Sequence, residues 1–311
     1  MKLMKKNLRF AILLTSAMIL FSSCHKDPPL PEAVFTTTIT SNIVKFNAVV
    51  ADADTFGWDF GDGSGADADP TPIHIYKNYD TDYLVTLTAQ GPGGQTTVTD
   101  TISISPMNKM EMLTGGPSDT DGKRWELNPS TVILRTLPDL QLTIDQTYPA
   151  GFLETLGFSN ASRHGFIFSY TGEYAIDPEG SEMTAGLSYC IKKGIPNVLP
   201  GQAAADANLT LMRPYLPSSG LTFGFNETKN LTLSVTGNGV TSSEITFNNI
   251  STLTFSYGGF IGIYDFRTEC ILQEITENSL KLACFFSSLP ASSPLAGISN
   301  YALILTFEPA D

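Results

Sequence analysis

Trp58-Asp59-Phe60-Gly61-Asp62-Gly63 constrains the fold of this chain more than any other stretch. Trp58 and Phe60 alternate with Asp59, the period of a strand with one buried face. Gly61-Asp62-Gly63 then supplies a turn, because its glycines accept positive φ and Asp62 can bond the local backbone. Strand chemistry resumes at His74 and Tyr76 and continues through residues 83–89. Gly91-Pro92-Gly93-Gly94 turns the chain again, and residues 97–104 form a last alternating run. Together these runs predict one small antiparallel β unit.

On these residues the chain resembles the polycystic kidney disease (PKD) domain, an immunoglobulin-like sandwich. The resemblance rests on three ordered motifs: Trp58-Asp59-Phe60-Gly61-Asp62-Gly63, then Pro72-x-His74-x-Tyr76, then Tyr83-x-Val85-Thr86-Leu87-Thr88-Ala89 followed by Gly93-Gly94. It spans residues 33–106, the size expected of such a sandwich. Asp80-Thr81-Asp82 stands where the family usually has a glycine before the Tyr83 strand, which leaves the local turn type open. The resemblance implies a spacer or binding module without catalysis.

Residues 1–23 have the pattern of a targeting segment. Lys2, Lys5, Lys6 and Arg9 precede an apolar run from Phe10 to Phe21, and Ser22-Ser23 precede Cys24. The small residues before a cysteine resemble a bacterial lipobox, with Phe21 where leucine is common, and imply Cys24 as a diacylated first residue. His25-Lys26-Asp27 places no aspartate beside that cysteine, so the expectation is an outer-membrane lipoprotein facing the exterior. Residues 24–32, with Pro28-Pro29-Leu30-Pro31, predict a short stiff tether. The whole chain carries net charge −13. Such an acidic protein has no general attraction for nucleic acid or anionic headgroups, so membrane contact is expected through the lipid anchor alone.

A second domain is expected over residues 110–311, after a linker at 105–109 and the break Gly115-Gly116-Pro117. Short alternating runs recur at residues 166–170, 221–225, 231–235, 244–247 and 253–257. Turn residues at Asn226-Glu227, Gly237-Asn238-Gly239, Asn248-Asn249 and Gly258-Gly259 separate them. Without helical periodicity, this predicts a larger antiparallel β-sandwich or barrel, so the chain is all-β. Only residues 149–156 and 203–207 suggest short helices. The closing hairpin 270–276 and 280–285, with Gly115-Gly116, Lys123-Arg124-Trp125 and Phe168-Ser169-Tyr170-Thr171-Gly172-Glu173-Tyr174, resembles the carboxy-terminal β domains of Bacteroides-group surface lipoproteins. That resemblance implies a polysaccharide or oligosaccharide ligand and a place beside an outer-membrane glycan-uptake complex.

The chemistry points to binding and away from catalysis. No CxxC spacing suggests a metal or redox centre, no GxSxG elbow suggests a serine hydrolase, and no cofactor motif is present. Ser118-Asp119-Thr120-Asp121-Gly122 lacks the further acids of a calcium loop and is expected to be a turn. Residues 173–179 are superficially similar to the Glu-x-Asp-x-x-Glu strand of laminarinase-type hydrolases. Ala175 nevertheless occupies the nucleophile's place and Pro178 removes a ladder donor, so a strand ending in an acidic turn is expected. Ser162-Arg163-His164-Gly165 reads as an exposed turn. Cys270 and Cys284 flank Glu277-Asn278-Ser279; a two-residue turn puts them on opposite faces, and a one-residue change brings them together, which leaves their pairing open. Candidate sugar-stacking or sugar-bonding residues are Trp125, Tyr174, Arg213, Tyr215 and Tyr257. The expected function is polysaccharide binding by the second domain, with a glycoside hydrolase of dispersed carboxylates or a protein-binding adhesin as alternatives.

Overall fold

The computed structural model describes residues 26–136, 146–155, 160–180, 183–186, 212–237, 241–263, 267–287, 294–295 and 298–310. The chain divides between Ile104 and Ser105 into two compact units. The targeting segment, Cys24, Cys190 and residues 203–207 lie outside the described residues.

Among the described residues the first unit has seven strands: β1 (Glu32–Thr40), β2 (Ile43–Ala51), β3 (Thr55–Asp59), β4 (Ala66–Asp67), β5 (Ile73–Ile75), β6 (Thr81–Gly91) and β7 (Gly94–Ile104). They form two antiparallel sheets, ordered β1-β2-β5 and β4-β3-β6-β7. Alternation decides what lies inside: Val44 and Phe46 from one sheet meet Trp58, Val85, Leu87 and Ile102 from the other. Trp58 donates its indole N–H to the Asp69 carbonyl at 2.9 Å. Gly61 follows at φ 77°, and a Cβ there would stand 2.5 Å from the Leu84 carbonyl oxygen, so both backbone and space call for glycine. His74 stacks on Phe60 at 4.1 Å and bonds Asp62 at 2.8 Å through Nε2. Asp80 adopts φ 51°, the left-handed region that a glycine would occupy at no cost.

The expected tether over 24–32 is not free along its whole length. The Pro29 carbonyl approaches so near to Gly93 that a Cβ there would lie 2.1 Å from it, and Thr96 Oγ1 donates to the Pro31 carbonyl at 2.6 Å. A glycine at the β6–β7 turn thus lets the proline segment dock on the unit.

The second unit begins where a linker is expected, with helix α1 (Lys109–Thr114). The Asn108 side chain accepts from Glu111 N, and the Glu111 side chain accepts from Asn108 N, a reciprocal capping box, while Gly115 ends the helix at φ 84°. There follow β8 (Lys123–Leu127), β9 (Thr131–Thr136), β10 (Gln146–Pro149), helix α2 (Phe152–Thr155), β11 (Gly165–Phe168), β12 (Glu173–Asp177), β13 (Met183–Gly186), β14 (Met212–Tyr215), β15 (Leu221–Gly237), β16 (Thr241–Phe255), β17 (Glu269–Ile275), β18 (Leu280–Phe286) and β19 (Tyr301–Ala310).

Of the two architectures expected, the barrel is the one formed. Antiparallel pairing runs β8-β11-β12-β15-β16-β17-β18-β19, and the second half of β19 pairs with β8, which closes an eight-stranded ring. The first half of β19 pairs with β9, which carries β10 beside it. An eight-stranded ring is just wide enough for side chains to fill. Trp125, Phe166, Phe168, Tyr174, Leu253, Cys270, Leu282, Cys284, Leu305 and Phe307 fill this one. A depression lined by Leu127, Pro129, Val132 and Phe152 has no room for a water molecule.

β15 and β16 are each one long strand, which corrects the expectation of separate strands with turns at Asn226-Glu227 and Asn248-Asn249. Asn226 pairs with Thr252 and Asn249 N donates to Asn230 Oδ1, both within a single ladder whose register shifts between Asn226 and Leu231. The polar pairs therefore absorb a bend and do not reverse the chain. Beyond the bend, Leu231, Leu233 and Val235 lie over Ile271, Ala283, Phe285, Ala302 and Ile304 on the outside of the barrel, forming a second core.

In the closing hairpin, Ile275 pairs with Leu280 and Glu274 with Lys281, as the two-residue turn dictates. A bulge at Gln273 then offsets the ladder, so that Leu272 pairs with Leu282 and Ile271 with Ala283. The same offset brings Cys270 and Cys284 onto one face, inside the barrel, as free thiols.

Candidate functional site

Two of the candidate aromatic residues are in the barrel core and present no face to a ligand. Trp125 is fully buried, donates its indole N–H to the Leu113 carbonyl at 2.8 Å, and has the Lys123 ammonium 4.3 Å from its ring centre. Its alternation with Leu127 puts both on the inner face of β8. Tyr174 alternates in the same way with Ile176 and donates its hydroxyl to the Phe260 carbonyl. Burial first, with Cys270 and Cys284 nearby, raises the Tyr174 pKa well above the usual tyrosine value, so the hydroxyl stays protonated. Arg213 and Tyr215 lie on β14, paired with Ala185 and Met183 of β13, and Cys24 lies outside the described residues.

Tyr257 differs from these, being 64% exposed. It stands on the turn that ends β16, where Gly259 N donates to the Ser256 carbonyl at 2.8 Å and Gly258 takes φ 84°. After this turn Phe260, Ile261 and Ile263 enter the barrel core. The turn is tied to its neighbours, because Ser256 Oγ accepts from Thr222 N at 2.9 Å and Ser256 N donates to the Thr222 carbonyl at 2.9 Å. Thr222 in turn pairs with Glu173, next to the β11–β12 turn at Ser169–Gly172. There half-buried Ser169 and exposed Thr171 share a hydroxyl–hydroxyl bond of 2.8 Å, beside half-buried Tyr170. With strands about 5 Å apart, Tyr257 and these hydroxyls are separated by about 10 Å along one rim. Leu216, 70% exposed, lies on the segment between β14 and β15. A solvent-facing phenol ring with hydroxyls and a second tyrosine at that distance suits stacking on one sugar ring and bonding of the next. Of these residues only Tyr257 was legible in the sequence, through its place before Gly258-Gly259.

A second cluster lies on the outer barrel wall. Gly165 on β11 sits between Glu126 of β8 and Asp177 of β12, and Arg124 crosses over it because it has no side chain in the way. The Arg124 guanidinium bonds Glu126 at 2.8 Å, Asp177 at 2.5 Å and Glu179 at 3.4 Å. Residues 173–179 are the expected strand and acidic turn, with Glu179 N donating to Asp177 Oδ1 at 2.9 Å. That backbone bond first, and Arg124 next, hold the Asp177 carboxyl below the usual carboxylate range. An anion so held is a poor general acid. His164 is 2% exposed, not on an exposed turn, because the single-turn helix Ala161–Arg163 carries it inward. Burial lowers its pKa, which keeps it neutral. The Arg124 cluster was not marked locally, since two of its three acidic partners are 53 and 55 positions away.

Asp119 Oδ1 accepts from Asp121 N and Gly122 N, which makes residues 118–122 the expected turn. Among the described residues no helix is long and apolar enough to cross a membrane.

Comparison with known proteins bears on the first unit. Among solved structures, the crystal structure of the PKD1 domain of Vibrio anguillarum Epp is 25% identical, covering 26% of this chain and 99% of that chain, at a TM-score of 0.23. No curated protein matches the chain. The family model described as PKD domain matches residues 39–104, within the two sheets of the first unit, and that segment of the chain is a PKD domain.

Proposed function

We propose that this protein is a lipid-anchored outer-membrane surface protein whose barrel unit binds a polysaccharide on the rim at Tyr257, with the PKD domain as spacer. The observation that carries the reading is the exposed Tyr257 ring on a turn bonded to Thr222, about 10 Å along the rim from the Ser169 and Thr171 hydroxyls. The filled barrel interior supports a rim site over an internal one. The anchor at Cys24 and placement beside a glycan-uptake complex rest on the sequence resemblances alone. The test is native gel retardation of residues 25–311 in a panel of polysaccharides, with reducing-sugar release followed on the same mixtures. Retardation without sugar release is expected, and Tyr257→Ala should weaken it about tenfold. Sugar release would make the protein a hydrolase. Neither effect across the panel would remove the glycan reading in favour of an adhesin for another protein.

A further inference from the structure

The closing hairpin holds two thiols against each other inside the barrel. Ile271 pairs with Ala283 in the offset ladder, so the next step outward sets Cys270 opposite Cys284. On their other sides Cys270 pairs with Leu253 and Cys284 with Leu303, so both positions are fixed by neighbouring strands. Both residues are at most 1% exposed. Residues directly opposite in an antiparallel ladder have Cα atoms about 4.5 or 5.5 Å apart, and either spacing falls within the roughly 4.4–6.8 Å that a disulfide spans. The Cys270 thiol donates to the Leu253 carbonyl at 3.8 Å, which holds it in the barrel core that it shares with Cys284.

We propose that Cys270 and Cys284 are an oxidation site that becomes a cross-strand disulfide as the chain folds in the presence of an exchange-competent disulfide, such as oxidised glutathione. One cysteine thiolate attacks the reagent's disulfide, giving a mixed disulfide and releasing the first reagent thiol. The second cysteine thiolate then displaces the other reagent thiol, so both electrons and both protons end on the two released thiols. Inside the folded barrel, burial first and the Cys270 contact second raise the Cys284 pKa well above its usual value, and only thiolates attack. The bond therefore forms during folding and is slow to form or break afterwards. The bulge at Gln273 is what aligns the pair; an unbroken ladder from the turn would set Cys270 opposite Phe285.

The test uses residues 25–311 carrying Cys190→Ser, unfolded in denaturant with reductant and refolded in a glutathione redox buffer. The product is denatured without reductant, treated with maleimide and weighed intact. The expected product carries no maleimide and is lighter than the reduced chain by two hydrogens. Its melting temperature should exceed that of the reduced form by about 6–12 °C. The reduced native protein, given the same buffer without unfolding, should stay unoxidised at least tenfold longer. Maleimide on both cysteines after oxidative refolding, or a disulfide-linked dimer, overturns the proposal. Should the serine change disturb folding, peptide mapping of the chain with Cys190 intact decides between the same outcomes: a Cys270–Cys284 peptide supports the proposal, and pairing of either with Cys190 overturns it.

Discussion

At the scale of single residues, Asp62 links the turn of the PKD unit to its pH response. Burial raises its pKa, but hydrogen bonds from Ser64 and His74 outweigh burial and bring it from 3.8 to about 2. A carboxyl whose folded pKa lies below its unfolded one stabilises the fold fully above about pH 4. That contribution disappears as pH falls through about 2. Asp62→Asn should therefore flatten the fall in PKD-unit stability between pH 4 and 2, which Trp58 fluorescence in urea at a series of pH values would register; an unchanged slope would contradict it. The two aromatic classes of the barrel separate as sharply. Tyr257→Ala should change stability by less than about 0.5 kcal/mol, as expected for an exposed side chain. Trp125→Ala should cost about 3–5 kcal/mol, because it leaves a cavity and frees the Leu113 carbonyl from its donor. Urea midpoints for the two variants check both values, and a costly Tyr257→Ala would mean that the ring is structural.

At the scale of elements, β3, β5, β6 and β7 of the PKD unit were legible because each signal is local, alternation in the strands and glycine at the turns between them, whereas β1, β2 and β4 were not read from their residues. The exact φ at Asp80 was not, yet the substitution of a family glycine marked the place where a left-handed residue stands. Helix α1 was marked only by Asn108 and Glu111 three apart and Gly115 after them, since its 6 residues are too few to show a helical period. What no window could reveal is closure. β8 joins β19 through pairs such as Leu127 and Phe307, and neither segment encodes its partner. The bulge at Gln273 and the bend in β15–β16 are likewise one-residue offsets that alternation alone does not locate. The bend has an energetic purpose, since it lays Leu233, fully buried, over the outer face of β17–β19. Leu233→Ala should cost about 2–5 kcal/mol in urea unfolding. Leu233→Asp should in addition expose that apolar face to a hydrophobic dye. A near-neutral Leu233→Ala would mean that the hairpin tip does not bind the barrel wall in solution.

At the scale of the whole molecule, the chain holds only two tryptophans, and they fall one to each unit: Trp58 at the centre of the PKD core and Trp125 on the inner wall of the barrel. The PKD core and the barrel core share no residue, so each unit should unfold as its own cooperative step. Single-tryptophan chains read the two steps separately. In Trp125→Phe the remaining fluorescence reports the unsubstituted PKD unit, and in Trp58→Phe it reports the unsubstituted barrel unit, so neither reporter is perturbed by its own substitution. The denaturant slope grows with the surface exposed on unfolding, so the barrel unit, residues 105–311, should give a slope roughly two- to threefold steeper than the PKD unit. The substitution made in one unit should leave the midpoint of the other unchanged, because the two tryptophans belong to cores that share no residue. One midpoint and one slope from both chains would instead mean that the two units fold as a single cooperative body, and the PKD domain would then be part of the binding unit's structure and not a spacer.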